Sequence, residues 1–152
     1  MIKVNVAINN KSWHKKIKYT KKYFNQKLKK ISNSIKFFRN KNITFTILLT
    51  NSLNMKKLNK KFRKRNKSTD VLSFPSFSPK RLQLMKEKKI YIGDLAASYE
   101  AIYSRSKKKN FLKEFDKVWV HGLLHLVGYN HIKNKDYFKM HKIEKKIINS
   151  IS

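Results

Sequence analysis

The string HGLLHLVGYNH, residues 121–131, constrains this chain more tightly than any other stretch. On a helix, His121 and His125 are four residues apart, so both rings project from one face. Gly128, three residues on, stops such a helix, because glycine readily takes the left-handed conformation of a C-terminal cap. Three residues later, His131 can reach the same point from the other side. The pattern predicts a helix end and its following turn wrapped around one spot where three imidazoles can meet.

The rest of the chain sets the frame for that spot. Its 152 residues suffice for one domain with a real core and are too few for two comfortable ones, so a single domain over 1–152 is expected. Hydrophobic residues make up 40% and fall in periodic runs, which favours a packed globule over a disordered polycation. The 38 Lys and Arg against 8 Asp and Glu leave a formal net charge of +30. Such a surface attracts polyanions and would hold nucleic acid through salt-sensitive phosphate contacts. Lys, Asn and Ile also dominate in stretches such as NKNITF and IEKKIINSIS, where no face is favoured, which is the look of compositional drift. Charge thus supports an RNA or DNA partner without proving one. Cysteine is absent, which excludes disulfides, thiolate nucleophiles and thiolate metal sites, and leaves any metal to His and carboxylates. The N-terminal stretch lacks the apolar core of a signal peptide, and no run approaches the ~18 apolar residues of a membrane span. A cytoplasmic protein with no membrane partner is the expectation.

Ile2, Val4 and Val6 alternate with polar residues as in a short strand with one buried face. From Ser12, Trp13, Ile17, Phe24, Leu28 and Ile31 recur at helical spacing among lysines, predicting one basic amphipathic helix with a core-facing stripe. ITFTILLT (43–50) predicts a central strand, after which Asn51 or Ser52 can cap a helix carrying Leu53, Leu58 and Phe62. A basic loop, RKRNKSTD, leads to VLSFP, a strand that Pro75 ends or places at an edge. After a polar segment, IYIGDLAAS (90–98) predicts a strand in which Gly93 marks a bulge or a close backbone approach. SYEAIYSR is helical. So is the run carrying Phe111, Phe115, Val118, Trp119 and Leu123 into the histidines, and a final helix is expected at about 133–149 with Tyr137, Phe138, Ile143 and Ile147. The order of elements predicts an α+β domain, a small mixed sheet packed against helices with the three-histidine site at a helix C-terminus.

The spacing H-x-x-x-H-x-x-G-x-x-H is that of the metzincin zinc site. Three neutral imidazoles leave a fourth tetrahedral position open, the arrangement of a catalytic zinc rather than a closed structural one. A peptidase of that class has Glu directly after the first His as general base. Here that position is Gly122, which can neither accept a proton nor orient water.

HGLLHLVGYNH resembles the H-G-x-L-H-L-x-G-Y-D-H signature of the YbeY family, bacterial metal-dependent single-strand endoribonucleases of ribosomal RNA maturation and ribosome quality control. FRKRNKSTDVLSFP (62–75) is similar to that family's F-R-x-x-x-x-x-T-D-V-L-S-F-P segment, YIGDLAAS to its L-G-D-I strand, and LNKKFR to the helix end before the basic loop. The resemblance implies that His121, His125 and His131 ligate one Zn2+ per chain. It also implies that Arg63 is the cationic residue of the cleft, carrying catalysis with His121. The implied partners are single-stranded RNA, ribosomal RNA and the small ribosomal subunit, with small-subunit rRNA 3′-end maturation as the process served. Two positions depart from the pattern: Asn130 replaces the usual Asp and removes a negative charge, and Lys64 stands where Gly is common.

The chemistry agrees, since RNA carries its own nucleophile in the 2′-hydroxyl and strand cleavage does not strictly need a protein base. If one exists, Asp70 and Asp94 are the candidates, the alternative for each being turn or strand-end hydrogen bonding. Tyr129 either stacks on a base or packs beside the metal loop, Phe74 and Pro75 either line the cleft or end a strand, and His14 and His141 are expected at the surface. Two other functions fit parts of the pattern: a non-catalytic RNA- or ribosome-binding protein pinned by zinc, and a zinc metallopeptidase, against which Gly122 argues.

Overall fold

A computed structural model describes residues 1–107 and 110–152. Four strands, β1 (Ile2–Ile8), β2 (Asn42–Thr50), β3 (Val71–Pro75) and β4 (Lys89–Ser98), form one sheet in the order β1-β2-β4-β3. β1 and β4 both run parallel to β2, and β3 is antiparallel to β4 at the sheet edge, so the sheet is mixed and the fold is α+β. The edge position suits β3, because Pro75 has no N–H to offer a further neighbour. Among the described residues there are seven α-helices, α1 (Ser12–Lys16), α2 (Thr20–Ile31), α3 (Ser52–Arg63), α4 (Pro79–Leu84), α5 (Tyr99–Ser106), α6 (Phe111–Leu126) and α7 (Asn134–Ile151), and a single 3-10 turn, Lys36–Phe38.

Period-two alternation sorts the core onto the two sheet faces. Ile43, Phe45, Ile47 and Leu49 of β2 turn toward the large core, which also holds Phe24 and Leu28 of α2, Trp119 and Leu123 of α6, and Ile147 of α7. Leu72 of β3 and Ala96 of β4 turn the other way and pack against Met55 of α3. α6 lies especially close to the sheet, and Gly122 is what allows it. A Cβ there would come within 2.9 Å of Leu95 Cδ2 and 3.1 Å of Val71 Cγ2, and the Ser73 hydroxyl donates to the Gly122 carbonyl at 3.1 Å. The residue that a peptidase would use as base thus faces the sheet. On the opposite side, α6 is tied to α2 through Asp116, which accepts from the Tyr23 hydroxyl, from Trp119 Nε1 at 2.9 Å and from Lys27 Nζ at 2.8 Å. A buried carboxylate is tolerable with that many donors. Burial and the adjacent Asp116 charge push the Tyr23 pKa upward.

The single helix expected from Ser12 to Ile31 is two, because Ile17 is extended (φ −132°). Trp13 is fixed to β2 through Nε1, which donates to the Thr50 carbonyl at 2.9 Å, while Phe24, Leu28 and Ile31 seat α2 in the core. All five apolar residues of the stripe are nevertheless buried. On α3, Asn51 is the cap, its side chain accepting from Asn54 N, but the packed residues are Met55 and Asn59 rather than Leu53 and Phe62, which are 63% and 58% exposed. On α7, Tyr137 and Phe138 are exposed, and Met140, Ile147 and Ile151 are buried. The polar segment after β3 contains α4, announced by Ser78 as cap and Pro79 at the first turn, a signal that local reading passed over. Gly93 marks a register shift against β2 and has φ +135°; a Cβ would sit 2.3 Å from the Phe74 carbonyl oxygen, so bulge and close approach coincide. Among the described residues, no helix is long and apolar enough to cross a membrane.

Candidate metal centre

Helix periodicity brings His121 and His125 together at the C-terminal end of α6, with Nε2 atoms 3.0 Å apart. The helix ends at Leu126, Gly128 takes φ +97°, and the chain turns back with Tyr129 N donating to the Leu124 carbonyl at 3.0 Å. That return carries His131 to within 5.2 Å of His125 and 5.6 Å of His121, ring centre to ring centre. One nitrogen from each of the three rings lies within 4.8 Å of the others.

The hydrogen bonds behind the rings decide which nitrogens face inward. His125 Nδ1 lies 2.9 Å from the Tyr129 carbonyl, which can only accept, so Nδ1 carries the proton. His121 Nδ1 is bonded to the Glu144 carboxylate of α7, which likewise favours a proton on Nδ1. In the neutral rings both Nε2 atoms then present lone pairs to one another, an arrangement that repels unless a cation takes it up. Burial, reinforced by the neighbouring His121, holds the His125 pKa below its ordinary value and favours the neutral ring that ligates metals. The residues therefore fit a metal ion: three nitrogen donors, two tautomers locked from behind, and an open approach from the side of exposed His131.

The histidines open into a cleft of about 870 Å³ along β3. Val71 and Ser73 belong to the face of β3 that meets Gly122, whereas Leu72 and Phe74 belong to the face that packs with α3. The cleft takes lining residues from both, so it joins the histidines to the C-terminal end of α3, where Phe62 and Arg63 lie. Of the cationic side chains lining it, Arg105 pairs with Asp70 at 2.5 Å and Lys117 with Glu114 at 3.2 Å; Arg63 has no ion-pair partner among the described residues.

Asp70 lies in this cleft, but Asp94 is not among its lining residues and instead accepts from the Tyr91 hydroxyl on exposed β4 surface. Tyr129, Phe74, Pro75 and Asn130 all line the cleft, and His14 and His141 are exposed away from it. Lys64 adopts φ +55°, ψ +32°, the left-handed conformation that glycine favours, so the departure leaves the turn intact. Glu144 was not singled out from the sequence. The available signal was a carboxylate in line with Met140, Ile147 and Ile151, on the core-facing stripe of α7, in a chain with only eight acidic residues.

A model of the endoribonuclease YbeY family matches residues 7–152. A Pelagibacter ubique protein named endoribonuclease YbeY is 45% identical over 152 residues, covering 95% of this chain and 92% of its own. A Buchnera aphidicola protein of the same name is 36% identical over 124 residues, covering 80% and 77%. The solution structure of the Thermotoga maritima protein TM1509 superposes with a TM-score of 0.63 at 22% identity, over 99% of this chain and 89% of that one, and shares the fold. A glycine in place of the peptidase base, a cleft running from the histidines to Arg63 and a match along nearly the whole length lead to one conclusion: this chain belongs to the endoribonuclease YbeY family.

Proposed function

We propose that this protein is a zinc-dependent endoribonuclease that cuts single-stranded RNA and serves, in the cytoplasm, ribosomal RNA processing at the small subunit, including 3′-end maturation and ribosome quality control. The observation that carries the reading is the meeting, in one cleft, of three histidines with convergent nitrogens and an arginine that has no ion-pair partner among the described residues. The names of the relatives support the reaction class. The net charge of +30 supports a polyanionic substrate.

His121, His125 and His131 would hold the metal, and the all-nitrogen donor set with an open position suits zinc. When bound, such an ion supplies Lewis-acid polarisation of a phosphate oxygen. Arg63 pairs with the phosphate and stabilises the negative charge that builds on it, the role a guanidinium fork fills best. The substrate's 2′-hydroxyl offers an internal nucleophile, so Gly122 is no obstacle. Where a protein base takes part, Asp70 is the better placed of the two carboxylates considered, since Asp94 is not part of the cleft.

The test is cleavage of an end-labelled single-stranded RNA at salt high enough to suppress non-specific binding. Activity should vanish with chelator and with His125→Ala, and Arg63→Ala should lower it by about 10²- to 10³-fold, the range for losing one preorganised charge-stabilising donor. A wild-type protein that binds RNA but never cuts it when supplied with zinc overturns the catalytic reading.

A further inference from the structure

An exposed phenylalanine is ordinary by itself. What sets Phe62 apart is its setting. It is 58% exposed at the last turn of α3, directly before Arg63, and lines the same cleft as the histidines. Its ring meets Phe74 edge-to-face, 5.4 Å between centres with 66° between planes. Phe74 belongs to edge strand β3 and packs on the α3 side of the sheet, so it props the Phe62 ring from within the fold. Lys61 Nζ lies 5.2 Å from the Phe62 ring centre, and Lys61, Arg63, Lys64 and Arg65 surround Phe62 in sequence. An open aromatic face braced by a second ring and interleaved with cations is the composition of a surface that stacks nucleobases and tracks the phosphates between them.

We propose that Phe62, buttressed by Phe74, is a base-stacking subsite that receives one unstacked nucleobase of single-stranded RNA while Arg63 takes an adjoining phosphate. The inference rests on the RNA-cleaving reading and adds a source of strand selectivity to it. In a duplex both faces of each base are covered by its neighbours, so occupying Phe62 would require extrusion, with loss of stacking and pairing. A single strand offers a free face. Selectivity would then arise at the end of α3, on the opposite face of β3 from the metal centre, with no need for the histidines to sense strandedness. Because base faces are alike, the subsite would favour unpaired nucleotides without strong sequence preference.

Binding to an uncleavable eight-nucleotide 2′-O-methyl oligoadenylate tests this separately from catalysis. Trp13 and Trp119 are fully buried and also present in the wild type, so the exposed fluorophore of Phe62→Trp reports the site as the change in emission beyond that of the wild type. The oligoadenylate should quench that emission, and inorganic polyphosphate of equal charge should not. Phe62→Leu, which keeps apolar bulk and helix propensity but loses the ring, should weaken oligoadenylate binding about tenfold and leave polyphosphate binding unchanged, in the range for losing one stacked base. Equal quenching by polyphosphate, or no loss of oligoadenylate affinity in Phe62→Leu, overturns the subsite. Quenching that persists in a protein unable to cut RNA keeps the subsite and overturns the catalytic reading instead.

Discussion

Glu144 and Lys64 are the residues whose roles the three-dimensional setting changes most. Glu144 holds the His121 ring from behind, fixing tautomer and orientation at once. Removing such an outer partner typically costs 10- to 100-fold in metal affinity. We expect Glu144→Gln, nearly isosteric but uncharged, to lower zinc affinity about tenfold, and Glu144→Ala more, as measured by competition with a chromogenic chelator without any RNA. Lys64 closes α3 in the left-handed conformation, with its N–H on the Lys60 carbonyl at 3.1 Å and Arg65 N on the Asn59 carbonyl at 3.2 Å. A lysine in that conformation carries roughly 1 kcal/mol of strain that glycine would not, partly offset by the greater freedom of glycine in the unfolded chain. Lys64→Gly should therefore raise stability by about 0.5 kcal/mol in denaturant unfolding; a fall would mean that the lysine side chain holds the loop.

Among the elements, the β3–β4 pair and α6 form the frame of the cleft, and two glycines set how closely that frame packs. At Gly93 an added Cβ would strike the Phe74 carbonyl oxygen at 2.3 Å, in a conformation that L side chains rarely adopt. No side-chain rotation relieves a clash with backbone. Gly93→Ala should destabilise the protein by about 3 kcal/mol or more, appearing as a thermal midpoint lowered by roughly 6–12 °C for a chain of this length. At Gly122 the nearest atom is the end of the Leu95 side chain, which is itself buried, so the better helix propensity of alanine works against overpacking. Gly122→Ala should cost only about 1 kcal/mol, and the two variants together separate backbone conflict from side-chain crowding. The elements themselves were largely legible, since strand alternation at Ile2, Val4 and Val6 and the β-branched run of β2 are local signals. The break between α1 and α2 was not, because no proline or glycine marks it and the two helices are seated by separate distant contacts, Trp13 on the Thr50 carbonyl and Phe24, Leu28 and Ile31 in the core.

Across the whole molecule, the three-histidine cluster joins α6, the turn after it and, through Glu144, α7, so a metal ion bound there should stabilise the fold. At a metal concentration 100 times Kd the linkage is about 2.7 kcal/mol, or roughly 5–11 °C in thermal midpoint. Adding a chelator should lower the midpoint by that amount in the wild type and have no effect on His125→Ala. The convergence of the three histidines was within reach of the sequence alone, because His121, His125, Gly128 and His131 are tied by helix periodicity and one turn, and local geometry is encoded locally. The sign of the charge and the missing peptidase base could likewise be read directly from composition and position. Tertiary structure alone decided which residues stand around that centre. Glu144 comes 23 positions after His121, Arg63 lies on a different helix, and Phe62 meets Phe74 across the sheet edge. Contacts between residues so far apart in the chain depend on how sheet and helices pack, and packing is settled by the core as a whole rather than by any one segment's pattern.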